Sequence, residues 1–192
     1  MTKIILASES PRRKQLLETL GITFICIRPE VVEEIKSGES ARQTAERLAR
    51  QKAEAIDMLN ADNLIIAADT VVFCAGKILG KPNNEEEAYE MLSLLSGKSH
   101  EVISAVCLKK GFNESEVQSE ITTVFFRNLS QEEILGYIAT GEPFDKAGGY
   151  GIQGKGSVLV TRIEGCYFNV VGLPLSRLYE MLKKQNIEVL GV

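Results

Sequence analysis

Apolar residues recur along this chain with two different periods, and the changes of period mark its elements. Lys3 to Ala7 carries a short apolar run that stops at Ser8-Glu9-Ser10-Pro11, so a buried strand followed by a loop is predicted. Pro11 suits the first turn of a helix, with Leu16, Leu17 and Leu20 on its apolar side and Gly21 at its end. Thr23 to Ile27 reads as a second strand. Ser40 is a good N-cap for a long helix reaching about Asn60, on which Ala41, Ala45, Leu48, Ala49, Ala55, Ile56 and Leu59 recur at helical spacing. Leu64 to Phe73 is a long apolar strand, and Ala75-Gly76-Lys77 turns it into a short returning one. Asn84 caps a helix opening with Glu85, Glu86 and Glu87, which suits the positive end of the helix dipole, and ending near Gly97. His100 to Leu108 and Glu116 to Phe126 read as paired strands joined by a polar turn. Ser130 with Glu133 is a capping-box signature for a helix ending near Gly141. A glycine-rich polar stretch, 141–156, leads to a strand over Val158 to Ile163 and an amphipathic closing helix over Leu173 to Lys184.

Strands and helices are thus interleaved, while the central strand pair has the look of an antiparallel hairpin. The fold class that follows is mixed α/β (α+β), a mixed twisted sheet with flanking helices. A chain of 192 residues fits one domain and can bury well over half of its unfolded surface. No internal repeat or long linker interrupts it. The net charge of −4 makes non-specific duplex binding a poor fit, so no nucleic-acid partner is expected. The N-terminal apolar run is too short for a signal peptide and no run approaches a membrane span, so no membrane association and a cytoplasmic location are expected. The four cysteines, Cys26, Cys74, Cys107 and Cys166, stand far apart in apolar or strand-like stretches and read as buried free thiols.

Several chemistries are excluded by what the chain lacks. His100 is the sole histidine and reads as a surface or strand-end polar residue, which leaves no basis for a Ser-His-Asp or Cys-His system or a histidine-rich zinc site. There is no P-loop sequence, and no G-x-G-x-x-G follows the first strand. Acid–base work then falls to carboxylates or lysines, with a hard metal ion that prefers oxygen ligands.

Five features place polar residues where packing alone would not. Lys52 lies on the apolar stripe of the long helix, four residues after Leu48 and four before Ile56. Its stem could snorkel to water, or its ammonium could be aimed inward at a phosphate. Asp69 shares a strand face with Ile65, Ala67 and Val71. A carboxylate there needs a cation, a metal or solvent, so a structural Asp–Lys pair stands beside a functional acid. The loop Ser8-Glu9-Ser10-Pro11-Arg12-Arg13 joins a strand to a helix start, where N–H groups favour anions. Gly80-Lys81-Pro82 holds a lysine at a constrained turn. Asp145-Lys146-Ala147-Gly148-Gly149-Tyr150, leading to Gln153, reads either as a flexible loop or as one that a ligand can approach closely. Arg12, Arg13, Lys52, Lys81 and Lys146, with one carboxylate that packing does not explain, describe a polyphosphate pocket with a metal.

These segments together resemble the Maf family of nucleotide pyrophosphatases, also called septum formation inhibitor Maf proteins. The matching pieces run from Leu6-Ala7-Ser8-Glu9-Ser10-Pro11-Arg12-Arg13 through Ala49-Arg50-Gln51-Lys52-Ala53, Ala68-Asp69-Thr70, Gly80-Lys81-Pro82 and Leu95-Ser96-Gly97. They continue with Gly141-Glu142-Pro143, the run Asp145 to Gly154, and Val171-Gly172-Leu173-Pro174. The resemblance implies two lobes around a deep cleft, similar to the inosine triphosphate pyrophosphatases. It also implies a divalent cation (Mg²⁺, with Mn²⁺ or Co²⁺ as substitutes), cleavage between the α- and β-phosphates of a nucleoside triphosphate substrate, and a homodimer.

Within the family, Arg12, Thr70 and Gln153 resemble the branch acting on dTTP and UTP, where the 7-methyl-GTP branch has Trp, Gln and Glu. Uracil and thymine present two carbonyls flanking one N–H, a pattern that Arg, Thr and an amide can satisfy. By the same resemblance Asp69 is the proton acceptor, Ser8, Arg13, Lys52 and Lys81 meet the triphosphate, and Glu33 joins Asp69 in holding the metal, with Glu34 one residue from the same register. The implied activity is hydrolysis of dTTP and UTP, and of modified pyrimidine triphosphates, to the monophosphate and pyrophosphate. A 7-methyl-GTP pyrophosphatase and a nucleotide-binding regulator of cell division are the competing readings.

Overall fold

A computed structural model describes residues 3–56, 63–111 and 115–191. In chain order the strands are β1 (Ile4–Ala7), β2 (Phe24–Ile27), β3 (Leu64–Cys74), β4 (Lys77–Leu79), β5 (Ser99–Lys110), β6 (Glu116–Phe126) and β7 (Val160–Glu164). The helices are α1 (Pro11–Glu18), α2 (Ala41–Glu54), α3 (Glu85–Leu95), α4 (Gln131–Ile138), α5 (Tyr167–Val171) and α6 (Leu175–Lys184). The strands form one mixed sheet in the order β2-β1-β3-β5-β6-β7, with β4 added to β3. β1 pairs in parallel with β2 and β3, whereas β3–β4 and β6–β7 are antiparallel. β5 and β6 are sheet neighbours joined by only residues 111–115. A parallel pairing would need a far longer crossover, so this is the expected hairpin.

Two compact units divide the chain. The first holds residues 1–69, 104–120 and 172–192. Its core is built from β1, the first half of β3, and the apolar faces of α1, α2 and α6, with Leu6, Leu17, Ile65, Ile66, Leu178 and Met181 almost wholly buried. The second unit, residues 70–103 and 121–171, has its own core of Val72, Leu92, Leu95, Val124, Phe126, Ile134 and Tyr150.

Local chemistry fixes the element ends. Ser40 and Ser130 form capping boxes with Gln43 and Glu133, and Asn84 accepts from the Glu87 N–H. Each such cap contributes about 1 kcal/mol. Cys74 pairs with Lys77, leaving a two-residue turn in which Ala75 (φ 48°) and Gly76 (φ 79°) are both left-handed. That is the conformation tight hairpins favour, and it is costlier for the alanine than for the glycine.

The structure departs from the sequence reading in several places. α2 ends at Glu54, capped by Ala55, so the expected helix stops short at Ala55 and Ile56, and the rest of its expected extension, residues 57–60, lies outside the described residues. Residues 154–159 form a 3₁₀ turn, so the last strand begins at Val160. The short α5 was not anticipated. Only Cys74 and Cys107 are buried; Cys26 is exposed because β2 is an edge strand open to solvent along most of its length. No described helix is long and apolar enough to cross a membrane.

His100 also departs from its surface reading, being 3% exposed. It packs edge-on against Phe126 and Tyr150, and its Nε2 shares a 2.6 Å hydrogen bond with the Tyr150 hydroxyl. Burial disfavours the imidazolium and lowers its pKa to about 4. As pH falls, the unfolded chain therefore takes up this proton first, near 6.5, and the fold accepts it only near 4. Stability should drop by about 1.4 kcal/mol per pH unit across that window. His100→Gln, which cannot titrate, should lose about 2 kcal/mol less than the parent between pH 7 and pH 5 in urea unfolding. Equal losses in the two proteins would show that His100 does not govern this acid sensitivity.

Candidate active site

The first unit's site is set by a difference in strand length. β1 stops at Ala7, which pairs with Ala67, while β3 runs on to Cys74. Asp69 therefore lies two residues past the last β1 partner, at the carboxyl end of a parallel pair, where open α/β sheets expose room for ligands. The loop Ser8–Ser10 and the first turn of α1 occupy the same end.

Asp69 is 5% exposed, and Lys52, in the last turn of α2, is 6% exposed. Lys52 Nζ donates to Asp69 Oδ1 at 2.5 Å and lies 2.5 Å from Glu33 Oε1. The lysine thus does not snorkel outward; it bridges two carboxylates. Glu33 keeps 36% of its side chain exposed, so the acidic pair has one buried member and one solvent-facing member. Burial pushes the Asp69 carboxyl above the usual carboxylate range, while Lys52 and Arg13 pull it back and Glu33 adds to the rise.

Arg13 adds a second cation. Its Nε donates to the Gly172 carbonyl at 2.9 Å and its Nη1 to Ser8 Oγ at 3.5 Å. Burial lowers its pKa, whereas Asp69 and Glu33 favour the charged form and the neighbouring Arg12 opposes it. The buried Ser8 hydroxyl also accepts from the Ser10 N–H at 3.1 Å, and the Ser10 side chain caps α1 by accepting from the Arg13 N–H. The loop is therefore tied down by its own hydroxyls. Ser8, Arg13, Glu33, Lys52 and Asp69 form one constellation, with Arg12 beside it in the first turn of α1.

The second unit assembles another set. Gly148 N–H donates to the Gly80 carbonyl at 2.9 Å, which seats the late loop on the turn carrying Lys81. Lys146 Nζ donates to the Glu142 carbonyl at 2.6 Å and to Asp145 Oδ1 at 2.5 Å. The Glu142 carboxylate accepts from the Lys155 and Gly156 N–H groups at 3.0 and 3.3 Å, capping the 3₁₀ turn that follows Gln153. The Tyr137 hydroxyl accepts from Gly151 N–H at 3.2 Å. A Cβ on Gly156 would meet the Gly151 oxygen at 2.3 Å and the Tyr137 hydroxyl at 2.6 Å. This stretch is an interlocked loop, not a flexible one. Gln153 is half-buried within it, and Thr70, also half-buried, follows Asp69 in β3.

A model of the family described as Maf-like protein matches residues 3–185. The chain belongs to the Maf family. Among Maf relatives, a protein named dTTP/UTP pyrophosphatase from Syntrophomonas wolfei is 57% identical over 96% of this chain and 98% of its own. Proteins of the same name from Carboxydothermus hydrogenoformans and Bacillus cereus are 53% and 52% identical, over 95% and 98% of this chain and 98% of theirs. Among solved structures, the Staphylococcus aureus Ham1 protein overlaps this Maf chain with a TM-score of 0.47 at 14% identity, covering 83% of this chain and 80% of that one.

The Maf fold thus brings together the residues singled out in the first unit, and Glu33, not Glu34, is the acid that meets Lys52. Two contributors escaped the sequence. Glu142 was visible only as part of a motif, and its capping role depends on residues 13 and 14 positions away. Arg47 was not singled out at all. The Lys52–Asp69 pair makes a stability prediction. Lys52→Met leaves a buried carboxylate without its nearest cation and should destabilise this Maf protein by about 3 kcal/mol. Adding Asp69→Asn to that variant should recover a large part of the loss. A Lys52→Met protein with parental stability in urea unfolding would contradict the burial of the pair.

Proposed function

We infer that this protein is a nucleoside triphosphate pyrophosphatase, cleaving dTTP and UTP between the α- and β-phosphates. The observation that carries the reaction type is the buried Lys52 bridging Asp69 and Glu33, with Arg13 and Ser8 beside them, at the carboxyl end of β1 and β3. The substrate is supported by relatives of that name at 52–57% identity over nearly the whole chain, and by Arg12, Thr70 and Gln153 at the base-discriminating positions.

Asp69 is the proposed proton acceptor. A carboxyl raised by burial is better matched to taking a proton near neutral pH than an exposed one. In the proposed step a water oxygen bonds to the α-phosphorus, its proton passes to Asp69, and the bond to the bridging oxygen breaks to release pyrophosphate. Lys52 and Arg13 offset the charge that develops on the phosphate oxygens, and such positioned cations supply much of the catalysis in phosphoryl transfer. Lys81 and Lys146 are proposed for the outer phosphates, and Arg12, Thr70 and Gln153 for the pyrimidine edge.

The donor set also fits a divalent cation such as Mg²⁺ or Mn²⁺. Asp69 and Glu33 present hard carboxylate oxygens that approach the same point, each 2.5 Å from one nitrogen. Among the described residues no cluster of three or more His, Cys, Asp or Glu forms a closed cage. Two carboxylates suit an ion that takes its remaining ligands from phosphate and water. When bound, such an ion would supply Lewis-acid polarisation of the phosphates. A homodimer and a cytoplasmic location complete the proposal.

The test is pyrophosphate release from dTTP, UTP, GTP and 7-methyl-GTP, with Mg²⁺ or Mn²⁺, on one preparation. The two pyrimidine nucleotides should be preferred, and Asp69→Asn should lower turnover roughly 10²–10⁴-fold while the protein stays folded. Preference for the purines would overturn the substrate assignment. Tight UTP binding without product would favour a regulatory binding protein instead.

A further inference from the structure

The acidic residue that meets Lys52 comes from the least regular part of the first unit. Residues 28–40, between β2 and α2, contain neither helix nor strand. The backbone hydrogen bonds found within them are local, Glu34 N–H to Val32 O at 3.2 Å and Glu39 N–H to Lys36 O at 3.3 Å. Residues 32–38 are all exposed, with Val32 at 76%. Such a segment has little of its own to fix Glu33 to within a fraction of an ångström.

The fixing comes from α2. Arg47 donates from Nε and Nη2 to the two Glu39 carboxylate oxygens, both at 2.7 Å. The same Nη2 donates to the backbone carbonyl of Glu34 at 2.8 Å. Nη1 donates to Gln51 Oε1, one helical turn on, at 3.1 Å, so the guanidinium plane is held from its own helix. The Arg47 and Glu39 side chains are only 18% and 22% exposed, which makes this pair stronger than an ordinary surface ion pair. Thr44 donates to Glu39 as well, at 3.3 Å. α2 therefore grips the segment at two places. Arg47 takes the carbonyl of Glu34, the residue after Glu33, and Lys52, five residues further along, takes the Glu33 carboxylate.

We propose that Arg47 is a positioning residue for the reaction, clamping the 28–40 segment so that the Glu33 carboxylate is presented at Lys52 and Asp69. The proposal rests on the reading of Glu33 as a member of the acidic pair. Its chemistry requires arginine. Three of its donors engage two different groups of the segment in one plane, and an ammonium cannot reproduce that fork. The hydrogen bonds of Arg47 go to the segment and to its own helix, and the Asp69 charge is felt only through space, so the clamp acts on the site through the placement of Glu33.

A double-mutant cycle tests this. Arg47→Met, Arg47→Lys, Glu39→Gln and Glu33→Gln are made singly, and each of the first three is combined with Glu33→Gln. Turnover of dTTP is measured against nucleotide and against Mg²⁺. Amide hydrogen exchange over residues 30–40 and the thermal midpoint are followed in parallel. The expected result for Arg47→Met and Arg47→Lys is a roughly tenfold lower kcat and a higher half-saturating Mg²⁺, with the dTTP KM changed less than about threefold. Exchange over 30–40 should quicken, and in the Glu33→Gln background the same changes should cost less than about twofold. Glu39→Gln acts on the same clamp from the other side and carries the test if both Arg47 variants fail to fold. An impaired Glu33→Gln protein beside parental kcat in the clamp variants would overturn the clamp. So would equal losses with and without Glu33. Parental turnover in Glu33→Gln would instead remove Glu33 from the reaction, and the clamp's purpose with it.

Discussion

An ionised carboxylate inside an apolar strand is tolerable only when something opposite in charge comes to meet it. That constraint, set by Asp69, organises the first unit. Lys52 must lie inward on α2, which makes a helix face that is otherwise alanine, leucine and one threonine carry a buried ammonium. The ammonium in turn draws Glu33 out of an irregular segment, and Arg13 adds a second cation held by Ser8 and the Gly172 carbonyl. None of these groups is well placed for stability alone. Apolar residues of similar volume in place of a buried ion pair often cost nothing. Their presence fits the function proposed for this site.

The elements that carry this arrangement are the most regular in the chain. Asp69 stands in the central strand of the first unit's sheet, and Lys52 on a fourteen-residue helix opened by a capping box. Arg13 lies in a first turn preset by proline and a serine cap. The acid and its two cations are therefore held by backbone that has little freedom, and only Glu33 arrives on a segment without structure of its own. That asymmetry suits the solvent-facing, ion-holding part proposed for Glu33.

Much of this was legible in the sequence because period and polarity conflict there. Lys52 interrupts a helical stripe and Asp69 an apolar strand, so each announces an unusual environment from its place in the pattern alone. Caps at Ser40, Asn84 and Ser130 fix helix starts through contacts three residues long, which a linear reading captures. What the sequence hid depends on distance along the chain or on sheet position. His100 is buried because residues 26 and 50 positions away cover it, and Cys26 is exposed because β2 has no neighbour on one side. Arg47 looks like one more charge on a polar face, and only the path of residues 28–40 gives it a task.

The crowding around Gly156 reaches beyond local packing. With 2.3 Å to one backbone oxygen, there is no room for even a methyl group, and the loop's shape is dictated by atoms that are missing. Any side chain at position 156 would have to displace this backbone before it could be accommodated. Under the proposed function, freedom to change base selectivity lies in the side chain that the frame displays at Gln153, while the scaffold around it stays frozen.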